Sequence, residues 1–151
     1  MDNNLPLYLF HQGTNYQAYK FFGSHKTDSP DRWVFRVYAP HAGAVSVVGD
    51  FNGWNNLASP MRRIGGGVWE AYVDGVRVFD AYKYCVTKPD GGTVLKADPY
   101  AFHSETNGAT ASKIYCLVGY TWHDEKYLKN KRKTPSYEKP VIINGVHLGS
   151  W

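Results

Sequence analysis

Short segments in which apolar and polar residues alternate, separated by glycine and proline, are the feature that most constrains the fold of this chain. Residues 32–39 place Trp33, Phe35 and Val37 on one side of an extended backbone. Pro40 ends this segment, because proline has no N–H to give to a strand ladder. The same period of two recurs in four further segments: the one around Val45 and Val47, and residues 68–73, 80–87 and 112–118.

Turn-forming residues separate these segments at a fairly even spacing. The chain contains 15 Gly and 8 Pro, and residues 89–92 (PDGG) are typical of a hairpin turn. Segments of this kind predict an all-β fold, an antiparallel β-sandwich of about six or seven strands with an immunoglobulin-like topology. Trp33 and Trp69 alternate with apolar neighbours, so we expect both in the core.

The two ends of the chain depart from this pattern. Residues 1–31 are predicted to form an N-terminal arm with a short helix, because Tyr16, Tyr19 and Phe22 recur at helical spacing before Gly23. Polar residues 24–31 are expected to connect this arm to the sandwich, which is predicted to cover residues 32–118. Residues 119–140 are charged and lack clean periodicity, which indicates a linker. Residues 141–151 then begin a new apolar run, as if a second domain opened there.

Composition narrows the class of protein. In residues 119–140 six basic residues stand against three acidic ones, so this segment carries most of the net charge of +4 and nucleic acid is not an expected partner. The chain has no run of eighteen apolar residues and no apolar N-terminal leader, so we expect a cytoplasmic protein without a membrane partner. The spacing of Cys85 and Cys116 is not that of metal ligands, and neither is that of His25, His103 and His147. We therefore expect reduced thiols, no metal and no cofactor.

One turn carries a large aromatic residue. Residues 47–55 (VVGDFNGWN) run from a strand into a group of turn formers in which Gly53 permits a positive φ. Because turns lie on the surface, Trp54 is predicted to be a flat stacking platform, with Asn52 and Asn55 beside it to hydrogen-bond a polar ligand. The alternative is that the Trp54 ring folds back over the edge of the sandwich.

Nine motifs follow one another over almost the whole chain. They are FHQGTNY (10–16), FGSH (22–25), YAP (38–40), VSVVGDFNGW (45–54), PMR (60–62), GVWE (67–70), YKY (82–84), KADPYA (96–101) and HLGSW (147–151). In this order they strongly resemble the N-terminal part of bacterial 1,4-α-glucan (glycogen) branching enzymes. The resemblance implies an early-set, immunoglobulin-like sandwich of the family-48 carbohydrate-binding type, which packs on a catalytic (β/α)₈ barrel.

The resemblance also implies where catalysis takes place. Residues 141–151 resemble the first barrel strand and its loop, whereas a complete barrel needs about 250 residues. The family's two catalytic carboxylates lie beyond Trp151, so the chain is expected to contain no catalytic residue and to show no branching activity. One departure is Asn144-Gly145, where the family usually has Tyr-Glu; this turn-forming pair is unfavourable in a buried strand.

Half of the family's glucan site is present. Trp54 matches the first of two binding tryptophans and Lys83 matches the binding lysine, but residues 93–95 hold no second tryptophan and residues 111–112 replace an asparagine. One aromatic platform and Lys83 imply weak binding of α-1,4-glucan, such as glycogen or maltooligosaccharides, with dissociation constants in the millimolar range. Residues 96–101 resemble a structural segment near the barrel, and Trp122 is expected to anchor the linker on the sandwich.

The predicted function is therefore that of an accessory domain, with the catalytic barrel of the parent enzyme and α-1,4-glucan as partners. A regulatory glycogen-sensing module is one alternative, which the aromatic arm and the closing HLGSW motif argue against; a scaffolding sandwich that binds only protein is another. Without a barrel beside them, apolar residues of the arm and tail are expected to be exposed and to favour self-association: Tyr8, Phe10, Val141 and Ile143.

Overall fold

The computed structural model describes residues 4–133, 140, 142–147 and 149. The chain divides into two compact units, Met1–Leu117 and Val118–Trp151. In its described part, the first unit contains helix α1 (Asn4–His11), two 3₁₀ turns (Ala18–Lys20 and Asp50–Asn52) and strands β1 to β9. The strands are β1 (Gly23–Lys26), β2 (Arg32–Tyr38), β3 (Ala44–Gly49), β4 (Arg62–Gly65), β5 (Val68–Asp74), β6 (Ala81–Thr87), β7 (Thr93–Lys96), β8 (His103–Ser104) and β9 (Ser112–Lys113).

The strands form two antiparallel sheets. One sheet has the order β1-β2-β5-β4, and the other has the order β3-β6-β9-β8, with β7 also paired to β6. Their inner faces share one hydrophobic core, to which Phe35 and Trp69 contribute from the first sheet and Val47, Tyr82 and Tyr84 from the second. The prediction of an all-β, immunoglobulin-like sandwich is therefore confirmed. Trp33 and Trp69 are buried, as the alternation predicts.

The N-terminal arm covers the outer face of the first sheet. Phe21, Phe22 and Val68 are buried in a second apolar cluster, against which Phe10 and Tyr100 also pack. The prediction that Phe10 is exposed is wrong, because its ring packs on Phe22 at a centroid distance of 4.6 Å. Tyr8, on the same helix, is exposed as predicted.

The helical spacing of Tyr16, Tyr19 and Phe22 misplaces the helix of the arm. The helix begins at Asn4, twelve residues before Tyr16. Pro6 is tolerated there because it lies in the first turn, where backbone N–H groups have no acceptor within the helix. Only the 3₁₀ turn Ala18–Lys20 lies near the predicted position. After it the chain enters the sheet at Gly23, which has φ of 94° and lies so close to Tyr100 that an added Cβ would come within 3.0 Å of its carbonyl oxygen.

Other differences concern short or polar elements. The predicted polar connection 24–31 is wrong in its first part, because Gly23–Lys26 pairs with β2 as strand β1. The predicted strand 112–118 is reduced to Ser112–Lys113. Strands β4, β7 and β8 escaped prediction, because each has four residues or fewer and little alternation.

The second unit contains a helix where the sequence predicts a linker. Helix α2 (Glu125–Lys133) has Glu125 in its first turn and Lys131, Arg132 and Lys133 in its last, an order that complements the helix dipole. Trp122 packs edge-on against Tyr120 within this unit, and its anchoring on the sandwich stays a prediction. Residues 142–147 have no regular secondary structure, and Val141 lies outside the described residues. Within the described residues, no helix has the length and apolar character needed to cross a membrane.

Candidate functional site

Trp54 lies on the loop that follows β3, and its ring is partly open to solvent. A 3₁₀ turn (Asp50–Asn52) ends at Gly53, whose φ is 61°, and Trp54 itself has φ of 60°. The Trp54 N–H donates to the Gly49 carbonyl at 3.0 Å, which closes the loop. The side chain is 41% exposed, so the ring is neither buried in the core nor free of the protein surface.

Asp50 fixes the orientation of the Trp54 ring. Its Oδ1 accepts a hydrogen bond from Trp54 Nε1 at 3.0 Å, and its Oδ2 accepts one from the Ala81 N–H at 2.8 Å. One carboxylate therefore ties the indole to the first residue of β6. Asp50 is not among the site residues predicted from the sequence; the signal for it is its spacing of four residues from Trp54.

The side chains of Asn52 and Asn55 form hydrogen bonds within the loop that carries Trp54. Asn52 Oδ1 accepts from the Gly49 N–H at 3.0 Å, while its Nδ2 donates to the Val47 carbonyl at 2.9 Å and to Ser59 Oγ at 3.0 Å. Asn55 Oδ1 accepts from the Leu57 N–H at 2.9 Å. These contacts shape the turn that carries Trp54. An amide oxygen has a second lone pair, so a hydrogen bond to a ligand is chemically compatible with them.

Lys83 lies on the outer face of the second sheet. It pairs with Val48 across β3 and β6, whereas its neighbours Tyr82 and Tyr84 point into the core. Its Nζ donates to Thr110 Oγ1 at 2.7 Å. Thr110 therefore positions the ammonium group. Because threonine is neither charged nor aromatic, the sequence gives no signal for this role.

Leu95 lies in residues 93–95, the stretch where the resemblance implies a second tryptophan and the chain has none. It pairs with Cys85, two residues beyond Lys83 on β6, and so shares the outer face with Lys83. Its side chain is 51% exposed. The outer face thus presents Lys83 and a neighbouring apolar side chain, while Trp54 stands on the loop at the end of β3.

The segment 96–101 is built around a buried carboxylate. Asp98 accepts hydrogen bonds from Tyr82 Oη at 2.7 Å, from Tyr84 Oη at 3.0 Å and from the Tyr100 N–H at 2.8 Å. Burial raises the pKa of Asp98, against the opposing effect of these hydrogen bonds. Burial and the Asp98 charge raise the pKa of both tyrosines, which keeps their hydroxyls as donors. The network joins β6 to the segment after β7 and has a structural role.

A second buried carboxylate lies on the first sheet. Glu70 bonds Arg36 Nε at 2.8 Å and Arg62 at 2.7 Å. Both buried carboxylates are thus held by several donors, Asp98 next to the core tyrosines and Glu70 on the outer face of the first sheet. Among the residues that the structure describes, no group of three His, Cys, Asp or Glu side chains is placed to hold a metal ion.

The region that contains the exposed indole of Trp54 and the outer-face Lys83 matches a known protein family. The family model of carbohydrate-binding module 48 (Isoamylase N-terminal domain) matches residues 21–101. The chain belongs to this family. The matched region extends from the end of the N-terminal arm to the KADPYA motif, and it includes Trp54, Lys83 and Leu95.

Relatives of this module-48 chain include much longer proteins. The chain is 43% identical to 1,4-alpha-glucan branching enzyme GlgB of Bacillus subtilis (strain 168). The match covers 96% of this chain and 24% of the Bacillus protein. It is also 43% identical to the protein of the same name from Bacillus caldolyticus, over 98% of this chain and 23% of that protein. The chain thus spans about a quarter of the length of these relatives. The resemblance to branching enzymes seen in the nine motifs is confirmed.

A solved structure shares the fold. A pullulanase from Anoxybacillus sp. LM18-11, complexed with maltotriose, matches with a TM-score of 0.53 at 25% identity, over 64% of this chain and 13% of that one. The sandwich fold of this chain therefore also occurs as a small part of a larger protein with another name.

Proposed function

We propose that this chain is the non-catalytic N-terminal accessory domain of a 1,4-α-glucan branching enzyme of glycogen biosynthesis, where it binds α-1,4-glucan weakly and orients the catalytic barrel. The observation that carries the proposal is the Trp54 ring, which is held by Asp50 and 41% exposed on a module-48 sandwich. A glucose unit offers an apolar ring face for stacking and hydroxyl groups for hydrogen bonds. Trp54 supplies the first kind of contact and Lys83 the second.

The expected affinity follows from the small number of contacts that the proposed site offers to a glucan. A single aromatic contact contributes about 0.5–1.5 kcal/mol, and a hydrogen bond to a charged group about 1.5–3 kcal/mol. A dissociation constant of 1 mM corresponds to about −4 kcal/mol, so binding in the millimolar range is expected. Such a site becomes effective when several glucose units, or a tethered second site, engage the same polymer.

The non-catalytic role is supported by the carboxylates of the sandwich. A retaining enzyme of this class needs two carboxyl groups about 5 Å apart that reach the sugar. The buried carboxylates Glu70 and Asp98 are held by arginines and by tyrosines, respectively, on different sheets. The arrangement of these two carboxylates supports assigning the parent enzyme's reaction to the barrel. Incubation of the purified chain with amylose, followed by iodine staining, is expected to show no branch formation.

Titration with maltoheptaose tests glucan binding. Trp fluorescence of the chain is expected to change saturably, with a dissociation constant of a few millimolar. This is the affinity expected from one stacking contact and one charged hydrogen bond. In amylose gels, Trp54→Ala and Lys83→Met should each migrate less retarded than the original chain. Trp33→Phe, a change inside the core, is the matched control and should keep full retardation. A dissociation constant of about 10 mM corresponds to a binding free energy of about −2.7 kcal/mol. A fluorescence signal that stays flat up to about 10 mM maltoheptaose therefore contradicts the proposal.

A second candidate is a scaffolding sandwich that binds only protein. It is favoured by the hydrogen bonds that the polar residues of the proposed site already make within the protein: Lys83 bonds Thr110, and Asn52 makes three hydrogen bonds in its own loop. A Trp54→Ala chain that keeps its full retardation in the amylose gel supports this candidate instead.

A further inference from the structure

Two exposed aromatic residues of the sandwich share an unusual backbone conformation. In the described part of the chain, the non-glycine residues with positive φ are Trp54 at 60°, Phe79 at 74° and Asn107 at 57°. Asparagine adopts this conformation readily, but for a large aromatic residue it is strained. Strain of this kind persists where the surrounding structure imposes it, and it is concentrated at functional sites. Phe79 is 53% exposed, so burial does not account for its conformation.

Phe79 belongs to a group of three rings in mutual contact, which we call the aromatic trio. The ring centroids of Phe79 and His103 lie 5.5 Å apart, those of Phe79 and Tyr115 lie 5.8 Å apart, and those of His103 and Tyr115 lie 5.6 Å apart. The Nδ1–H of His103 donates to the Ser104 carbonyl at 2.8 Å, because a carbonyl oxygen only accepts. The trio is therefore a fixed cluster rather than three separate surface side chains.

The trio lies on the same sheet face as Lys83. Ala81 pairs with Lys113, and Lys113 pairs with His103, so these three residues form one row on one face. Lys83 is two residues beyond Ala81 on β6 and shares that face. The Phe79 N–H donates to the Ile114 carbonyl at 2.8 Å and the Ile114 N–H to the Asp80 carbonyl at 2.9 Å, which continues the pairing to Tyr115.

The trio is also connected to Trp54 through the backbone. Asp50 bonds the Trp54 ring with one oxygen and the Ala81 N–H with the other. Phe79 precedes Ala81 by two residues, so its Cα lies within about 7 Å of the Ala81 Cα. Trp54 and the trio therefore stand at the same end of the second sheet, on either side of the first residue of β6.

We propose that the aromatic trio, Phe79, His103 and Tyr115, is a second contact for α-1,4-glucan, so that a longer glucan bridges Trp54 and the trio at the start of β6. This inference rests on the proposed function, because the ligand class is that of the Trp54 site. Aromatic faces recognise sugar rings without needing buried charge. The trio offers a stacking surface at the start of β6, whereas residues 93–95, which pair with the end of β6, hold no tryptophan. Two contacts on one polymer increase affinity with glucan length.

The test is a titration of the isotope-labelled full chain with maltotriose and maltoheptaose, followed by the backbone amide signals in NMR spectra. Phe79→Gly removes the ring and suits a φ of 74°, so it is expected to fold as well as the original chain. Tyr115→Ser is the second variant. Tyr16→Ser, which removes an exposed ring from the arm, is the matched control.

Amide signals of residues 79 and 113–115 should shift on addition of maltoheptaose. Phe79→Gly and Tyr115→Ser should each weaken maltoheptaose binding about threefold to tenfold and reduce the affinity gain from maltotriose to maltoheptaose. Tyr16→Ser should bind as the original chain does. If both trio variants bind maltoheptaose normally while Trp54→Ala weakens it, the trio is not a glucan contact and the proposed function stands. If the original chain shows no saturable shift at all, the proposed function fails as well.

Discussion

At the scale of single residues, the structure explains how a tryptophan is presented on a turn. The sequence predicts a positive φ at Gly53, and the structure confirms it, but Trp54 adopts the same conformation. Two hydrogen bonds offset this strain, one from the Trp54 N–H to the Gly49 carbonyl and one from Nε1 to Asp50. The prediction of a surface tryptophan rests on turn chemistry alone. The Asp50 bridge to Ala81 depends on how β3 and β6 pair, which the local sequence does not contain.

A change at Leu95 is expected to strengthen the proposed glucan site. Leu95 is 51% exposed on the same face as Lys83, so Leu95→Trp places a second indole there without overfilling the core. One added stacking contact of about 1 kcal/mol raises the affinity for maltoheptaose roughly fivefold. Leu5→Trp, at an exposed position of α1, is the control and should leave the affinity unchanged. A Leu95→Trp chain with unaltered affinity argues against binding on this face.

At the scale of elements, the strands that the sequence predicts are those with one face in the core and one outside it. In β2 and β6 every second residue faces the opposing sheet, among them Phe35, Tyr82 and Tyr84. Strand β1 has little alternation, since Ser24 is buried and Gly23 fits beside Tyr100. Its existence depends on pairing with β2, and that information is not local. The helix of the arm was likewise misplaced because Phe22 is buried by contact with Phe10 and Tyr100 rather than by a helical face.

Three strands of the first sheet are linked by one buried acid. Glu70 on β5 is fully buried between Arg36 on β2 and Arg62 on β4. Glu70→Gln removes the negative charge that both arginines share. Breaking a buried ion pair from one side costs about 3–5 kcal/mol, so we expect a loss of that order in the free energy of unfolding, measured by urea denaturation.

Arg62 provides the matched control for this link. Its side chain is 71% exposed, whereas that of Arg36 is 11% exposed. Arg62→Met should therefore lower the free energy of unfolding much less than Glu70→Gln does, because solvent screens an exposed charge. Equal losses in Glu70→Gln and Arg62→Met would contradict the view that the buried Arg36 contact dominates.

At the scale of the whole molecule, the distribution of apolar surface is the feature with a measurable consequence. Tyr8 of the first unit and Ile142 and Ile143 of the second are largely exposed, with Ile143 at 89%. Exposed apolar side chains of this size promote contacts between proteins. Such surface matches an accessory domain whose proposed partner is a barrel of the parent chain, and it leads to the expectation of self-association when that partner is not present in the sample.

Light scattering at increasing protein concentration measures this self-association. The average mass is expected to rise above the 17.1 kDa of one chain, because each molecule presents apolar side chains that another can cover. Replacing both Ile142 and Ile143 by serine should lower the average mass at a given concentration, since it removes two highly exposed aliphatic side chains from the described part of the second unit. Lys129→Ser, an exposed change on α2, is the control and should leave the mass unchanged. A mass of one chain at every concentration would show that these side chains do not drive association.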